Sequence, residues 1–523
     1  MAERVDVCII GVGAAGGIIA QELCKAGLQV VGLDAGPWYK EPGKDFKNSE
    51  VEMLKLIWDQ QQYTSSGNAY KGSPQFGFGV GGGTLHWTAA SWRFFPEDFR
   101  VKSIDGAPAG TSVEDWPISY EELAPYYEKA EKEMGVAGRP YPWGAPRGDF
   151  PMPPHGYFGT SLILKRGCDA LGIRTAPGPV AINSVPYEGR SPCYYDQFCI
   201  QGCAPLAKFS TLYVHVPKAL ATKKFDLRPN SHAIRLNTDR AGKKVESVTY
   251  IDAKGARRTQ RARIFVLATN SYEVPRLLLL SANSKHPHGL ANSSDQVGRN
   301  LMFHPSPWYL ARFKEITDFD KGYPIGNIMT LDFYGTKREN PFIRGFSLQD
   351  FHLTPVLLTI THFVPFWGKR LKEVMREYRR LAGIFPLGDG LPVPTNRVTL
   401  SKEKKDRFGL PGGHIHYDWH SNDLKMVEAI KKKCEEILKA AGAEEIYPPG
   451  IISEIHAMGS FRMGNDPARS VANSYGQTHD VPNLFLGGAG LFVTGGALNP
   501  TLTLSALAYR TSEYIVKEHK AFT

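Results

Sequence analysis

Val5-Asp6-Val7-Cys8-Ile9-Ile10-Gly11-Val12-Gly13-Ala14-Ala15-Gly16 opens a stretch that closes at Leu28-Gln29-Val30-Val31-Gly32-Leu33-Asp34, and its reading decides the fold. The first six residues are mostly apolar and β-branched, as in a buried strand. Three glycines follow at once. Residues 18–26 carry helical periodicity and stop at Gly27. Residues 28–33 read as a second buried strand that ends in the acid Asp34. The whole is a βαβ unit of about thirty residues. Gly11 permits the tight turn, Gly13 lets the backbone approach a pyrophosphate, and Gly16 lets helix and strand pack closely. The helix N-terminus offers free N–H groups and a partial positive charge to phosphates. Asp34 can accept hydrogen bonds from a ribose. A strand, a helix and an acid in register set this apart from a merely glycine-rich turn.

Outward from this unit, Asp34-Ala35-Gly36-Pro37 turns directly after the acid, which resembles known FAD sites more than NAD sites, a likeness of family pattern. No second glycine-rich βαβ fingerprint appears, so a separate NAD(P) domain is not expected and the substrate itself supplies the electrons. Residues 263–269 predict another buried strand, with a helix over 273–280 behind it. The loop Gly79-Val80-Gly81-Gly82-Gly83-Thr84-Leu85-His86-Trp87-Thr88 lets a backbone lie flat against a ring, because Gly82 and Gly83 have no Cβ. His86 and Trp87 then place a polar and an aromatic group beside that ring. Near the tail, 483–488 reads as a strand ending at Gly487-Gly488. Gly495-Gly496-Ala497-Leu498-Asn499-Pro500-Thr501 reads as a glycine loop and a helix start, with Pro500 at the first helical position.

The stretch 79–88 resembles the flavin-facing loop of the glucose-methanol-choline (GMC) oxidoreductases. So do Ala90–Phe99, Asp115–Tyr120, Val297–Met302 and above all the block from His456 to Ala508. The resemblance is strongest to the large subunits of bacterial glucose, fructose and gluconate dehydrogenases, with pyranose oxidases nearby. It runs nearly end to end and is poorest over 305–390. It implies an α/β (α+β) chain: a Rossmann-like FAD-binding domain with an antiparallel-sheet substrate domain. The FAD domain would take 1–40, 70–100, 240–304 and 446–523, and the substrate domain 101–239 and 305–445. Residues 396–401 and 413–418 alternate as strands of that sheet should, and 427–441 reads as an amphipathic helix. Gly11, Gly13, Gly16, Asp34, Gly82, Gly83, His86, Trp87, Thr88, Gly488, Pro500 and Thr501 would bind FAD. A histidine in a related setting carries a covalent flavin bond in pyranose oxidases; here His86 follows Leu85, and packing against the flavin outweighs attachment.

Alcohol oxidation by a flavin needs a base for the hydroxyl proton and a polar group that aims the C–H bond. Histidine suits the first task because it titrates near working pH. The residues that match the family's pair are His456 as base and Asn499 as orienting donor. His304, in Phe303-His304-Pro305, follows a family motif, but a structural role outweighs a catalytic one there. His362 and His479 have no supporting pattern. The implied reaction is oxidation of a sugar or glycoside CH–OH, glucoside 3-dehydrogenation included. The alternatives are a pyranose-type oxidase using oxygen and a non-redox flavin-dependent isomerase.

Cys193, Cys199 and Cys203 lie within eleven residues, beside Gly202 and Pro205. Zinc would want a fourth ligand, whereas iron–sulfur centres take thiolates. A disulfide with one free thiol is the bland reading. The dehydrogenase large subunits resemble this spacing and carry a [3Fe-4S] centre, and the lack of a nearby fourth cysteine favours three irons over four. Such a centre would pass electrons to a partner such as a cytochrome, and a small subunit would be a second partner.

The other bulk features fit this reading. A chain of 523 residues with 42% hydrophobic and 22% charged residues is an ordinary globular protein of two or three domains. The net charge of +10 is diffuse, with no basic stripe interleaved with aromatics, so nucleic acid is not expected as a partner. Seven cysteines, an odd count of which four are scattered, argue against a secreted disulfide framework. Met1 leads directly into a strand pattern with no signal peptide, and no apolar run is long enough for a bilayer. The expected location is cytoplasmic, or periplasmic if a partner subunit carries the export signal.

Overall fold

The computed structural model describes residues 4–522 except 48, 53–57, 61–62, 70–73, 362–365, 448 and 450–452. Its centre is a seven-stranded sheet. Phe225–Arg228, Val30–Leu33, Arg4–Ile10 and Arg257–Leu267 lie side by side in parallel, and Leu484–Leu486 pairs in parallel with Arg257–Leu267. Val7–Ile10, Val30–Leu33 and Phe265–Leu267 are buried at every residue. Strands covered on both faces have no polar face to alternate with, which is why these read as continuous apolar runs. Helix Ala14–Lys25 covers one face, and helices His215–Ala221 and Thr501–Glu518 pack against it. Beyond residue 261 towards the N-terminal end of its strand, Arg257–Leu267 pairs antiparallel with Val245–Ile251, which pairs with His232–Thr238.

The parallel strands end on one edge, at Ile10, Leu33, Leu267 and Leu486. The segments that leave this edge are the Gly11–Gly16 turn, Asp34, Ala268–Asn270 and Gly487–Pro500. Sequence-distant glycine loops are therefore neighbours, and the Gly487 N–H donates to Leu267 O at 2.8 Å. In open α/β sheets this carboxyl edge is where ligands bind.

A second sheet has six strands in the order Glu445–Tyr447, Tyr309–Arg312, Leu381–Gly388, Phe346–Phe351, Ile325–Thr330, Ala176–Pro177, all antiparallel. Helices Gly159–Ala170 and Ser421–Ala440 back it. A two-stranded ladder, Met302–Ser306 against Ser453–Met458, lies beside Leu381–Gly388.

Several sequence expectations shift. The strands expected over 396–401 and 413–418 form, as Arg397–Lys405 and Pro411–His416, but they join Thr64–Ser66 in a separate three-stranded sheet. The six-stranded sheet comes instead mainly from 305–390, the stretch with the weakest family pattern. Phe225–Arg228 and His232–Thr238, placed with the substrate domain from sequence, are strands of the central sheet. The helix expected over 427–441 starts six residues earlier, at Ser421, where Asp423 accepts the His420 N–H as a capping box. The last helix begins at Thr501 with Pro500 as its cap residue, one position before the expected slot.

Candidate active site

The glycines of the first turn act as expected of their positions. Gly11 takes φ +91°, and a Cβ on Gly16 would collide with Gly11 O. Gly13 packs against the second glycine loop rather than standing alone: a Cβ on Gly82 would lie 2.9 Å from Gly13 Cα. Gly13 caps helix Ala14–Lys25 with no side-chain hydrogen bond, so the first-turn N–H groups have no side-chain cap. Asp34 is buried, and its carboxylate accepts N–H groups from Val12 at 3.0 Å and Gly36 at 2.9 Å. Burial raises its pKa, and those two hydrogen bonds oppose the rise. Gly13, Asp34, Gly79, Ser231, Asn270 and Glu273 line one cleft. An added Cβ at Gly83 or Gly488 would meet no protein atom within 4 Å. A groove with a helix N-terminus, an acid at one end and glycines facing open space fits FAD, and these are the residues that would hold it.

The second loop runs through a 3₁₀ turn, Gly82–Leu85, to His86 and Trp87. Both side chains are directed to the cysteine segment. His86 Nδ1 is 3.1 Å from Ile200 O, and the Trp87 indole donates to Phe209 O at 2.9 Å. Thr88 is half-buried beside them. Lys208, which no motif flags, is fully buried, and its ammonium donates to Thr84 O, Leu85 O, Trp87 O and Cys199 O at 2.6–3.2 Å. It ties the two loops together. Burial pulls its pKa down to about 8.

His456 stands on Ser453–Met458 with a left-handed backbone, φ +63°. Its Nδ1 is 2.9 Å from Nδ1 of His304 on the partner strand, the rings edge to face. One of the two nitrogens must donate. His304 Nε2 faces Gly495 O at 3.4 Å, so its proton belongs there and its Nδ1 accepts. The His456 proton then sits on Nδ1, which leaves Nε2 with a free lone pair. Burial and His304 hold the His456 pKa well below the usual histidine range, and burial lowers His304 to about 4. The ring is a neutral base at neutral pH.

Asn499 is buried, and its Oδ1 accepts from Gln349 Nε2 at 3.0 Å on strand Phe346–Phe351. The amide is thereby oriented with Nδ2 left to donate. His304 links the pair, touching His456 with one nitrogen and the backbone four residues before Asn499 with the other. Behind this loop Arg344 donates to Asp389 at 2.7 Å and to Asp98, all three buried. Tyr334 donates to Asp98 at 2.7 Å, and Trp116 donates to Thr494 Oγ1 at 2.7 Å. The family stretches 90–99 and 115–120 therefore brace the 494–499 loop. His304, Gln349, Arg344 and Lys208 were missed or set aside in the sequence; only His304 had a signal, its place after Val297–Met302. His479 pairs with Ser470 Oγ, and His362 lies outside the described residues.

All seven cysteines are free thiols, so the disulfide reading finds no pair. Cys193 is half-buried, and Cys199 and Cys203 are buried. Cys193 Sγ accepts the Tyr195 N–H at 3.3 Å, and Cys203 Sγ accepts the Lys208 N–H at 3.4 Å. Burial pushes the Cys193 thiol up to about 12 and raises Cys199 and Cys203 as well. Among the described residues no group of three or more His, Cys, Asp or Glu is gathered to hold a metal ion. The three sulfurs are electrostatic neighbours. Iron–sulfur centres take thiolates, and these three cysteines are the residues that would hold one.

Two family models described as GMC oxidoreductase match residues 77–306 and 392–508. The chain is 35% identical to 2-methyl-1,2-propanediol dehydrogenase of Mycolicibacterium austroafricanum, over 98% of this chain and 95% of the relative. It is 33% identical to the fructose dehydrogenase large subunit of Gluconobacter japonicus, over 98% of both. It is 32% identical to paromamine 6'-oxidase of Streptomyces fradiae, over 98% and 91%. Among solved structures, formate oxidase of Aspergillus oryzae RIB40 superposes with a TM-score of 0.75 at 16% identity, over all of both chains.

Proposed function

The chain belongs to the GMC oxidoreductases, and from that premise we propose that it oxidises a CH–OH group of a sugar, glycoside or related polyol and passes the electrons on through its cysteine loop. It is an FAD-dependent oxidoreductase acting on CH–OH groups; the substrate class and the electron route are the proposal. The relatives act, by their names, on 2-methyl-1,2-propanediol, fructose and paromamine.

The observation that carries the reading is the chain of contacts His456–His304–Gly495 with Asn499 held by Gln349. His456 Nε2 takes the hydroxyl proton, and the Asn499 amide donates to the same oxygen and fixes its orientation. Bound cofactor and substrate would displace water from the half-buried His456 and the buried Asn499, which would strengthen both interactions. Bound FAD would supply the hydride acceptor. His456→Ala is expected to slow flavin reduction by substrate about 10²–10⁴-fold while FAD stays bound. Near-normal rates in stopped flow would refute the assignment.

For the electron route the supporting fact is adjacency. Lys208, His86 and the Gly202 N–H to Leu85 O bond (3.2 Å) all join the cysteine loop to the second glycine loop. Cys193, Cys199 and Cys203 would hold a [3Fe-4S] centre, which would supply one-electron transfer to a cytochrome-like partner. Cys199→Ser should abolish cytochrome reduction and spare flavin reduction; unchanged cytochrome reduction would remove the relay. The second reading, direct use of oxygen, is favoured by the likeness to an oxidase. Stoichiometric peroxide from an iron-free enzyme would select it.

A further inference from the structure

The cysteine loop is packed against two buried cations, Lys208 and Arg190, that form no ion pair with a carboxylate among the described residues. Among the described residues the Lys208 ammonium meets only backbone carbonyls and forms no ion pair. Arg190 is 9% exposed; its Nη2 donates to Met134 O at 3.1 Å, while Nε and Nη1 are buried with no partner. Cys203 is within electrostatic reach of both, and Glu188 and Asp196 are the nearby carboxylates, neither of them in contact with either cation. Between Cys199 and Cys203, Gln201 is 1% exposed, and both atoms of its amide lack partners. The half-buried Tyr213, whose hydroxyl oxygen is buried, also borders Cys203.

Buried N–H donors are nearly always satisfied, and a buried cation left unpaired is strongly unfavourable. Arg190 and Gln201 break both expectations at the same place. An anion rich in acceptors, seated among the three cysteines, would accept from Arg190 and from the Gln201 Nε2 and would offset both cationic charges. A sulfur-bridged centre on three thiolates is such an anion, and hydrogen bonds to its sulfurs tune it.

Resting on the iron–sulfur reading above, we infer that Lys208, Arg190 and Gln201 form the outer shell of that centre: the two cations supply its counter-charge, and the Arg190 and Gln201 N–H groups donate to its sulfurs. These are positioning residues and bind no metal themselves. One-electron reduction adds a negative charge to the centre, and a neighbouring cation favours that state. Removal of either cation therefore lowers the midpoint potential.

The test begins with iron and acid-labile sulfide per FAD in the wild-type holoenzyme. The midpoint potential of the iron centre is then measured by EPR-monitored titration in the wild type, Arg190→Met, Arg190→Lys and Lys208→Met. The expected result is a fall of at least tenfold in the reduction equilibrium for both Met variants, ~59 mV for a one-electron couple. Arg190→Lys keeps the charge, loses the planar donors and should fall in between. Loss of iron with FAD retained would support the counter-charge equally. If Lys208→Met fails to fold, Arg190→Met decides. A wild type without iron sinks the iron–sulfur reading and this inference together. A wild type with iron, and Met variants that titrate at its potential, sinks this inference alone.

Discussion

At His456 the backbone is left-handed, a conformation that costs a residue with a Cβ of the order of 1 kcal/mol or more and that recurs at functional sites. His456→Gly should therefore be more stable than His456→Ala by about 1 kcal/mol, although both lose the base. Denaturant midpoints compare them, and equal midpoints would mean that the site carries no strain. His304 acts on the same ring through its tautomer. His304→Ala leaves the His456 proton free to occupy either nitrogen and should lower kcat/KM by about 10–100-fold. In His304→Asn the amide oxygen stands close to the former Nδ1 position, accepts the same proton, and should restore most of that loss. If Asn does no better than Ala, His304 is only filling space. Neither the backbone strain at His456 nor its tautomer is legible in the chain alone. His304 and His456 are 152 residues apart, and their hydrogen bond exists because two short strands pair.

The glycine loops separate packing from ligand contact at the scale of an element. A Cβ on Gly16 strikes Gly11 O, so Gly16→Ala must push helix Ala14–Lys25 off the sheet and should destabilise the protein whether or not FAD is present. Gly83 differs: its φ is not positive, and an added Cβ meets no protein atom. Gly83→Ala should leave the melting temperature of FAD-free protein unchanged and weaken FAD retention at least tenfold. A drop in apoprotein stability equal to that of Gly16→Ala would contradict this division. The first βαβ unit was legible because its signals are local, namely glycine spacing, period and a terminal acid. The helix Glu273–Leu280 was found at its observed bounds for the same reason. The six-stranded sheet was not legible, because Phe346–Phe351 and Leu381–Gly388 are buried along their whole length and show no alternation.

For the molecule as a whole, acid stability is shaped by histidines that fold without their protons. Burial lowers His155 and His304 to about 4, and His215 and His352 to about 3. Their folded pKa values lie below the unfolded value near 6.5. Each contributes stability that is complete above about pH 6.5 and is lost as the pH falls, by about 1.4 kcal/mol per pH unit. Asp350, Asp423 and Glu454, raised by burial to about 6, 7 and 7, act in the opposite direction over the same range. A single substitution therefore isolates the effect. The stability gap between wild type and His215→Asn should shrink on going from pH 7 to pH 5; a constant gap would show that His215 titrates normally. His215 reaches Tyr509 at 2.8 Å and so joins helix His215–Ala221 to the last helix. By itself the amino-acid sequence determined the nucleotide-binding unit and the family, and it singled out His456, Asn499 and the three cysteines as candidates. Those follow from residue types at short, fixed spacings. Only the tertiary structure decided who stands next to them: His304 on His456, Gln349 on Asn499, and Lys208, Arg190 and Gln201 around the cysteines. A buried polar group takes whichever partner the packing brings to it, and that partner is set by strand pairing and loop crossings far away along the chain.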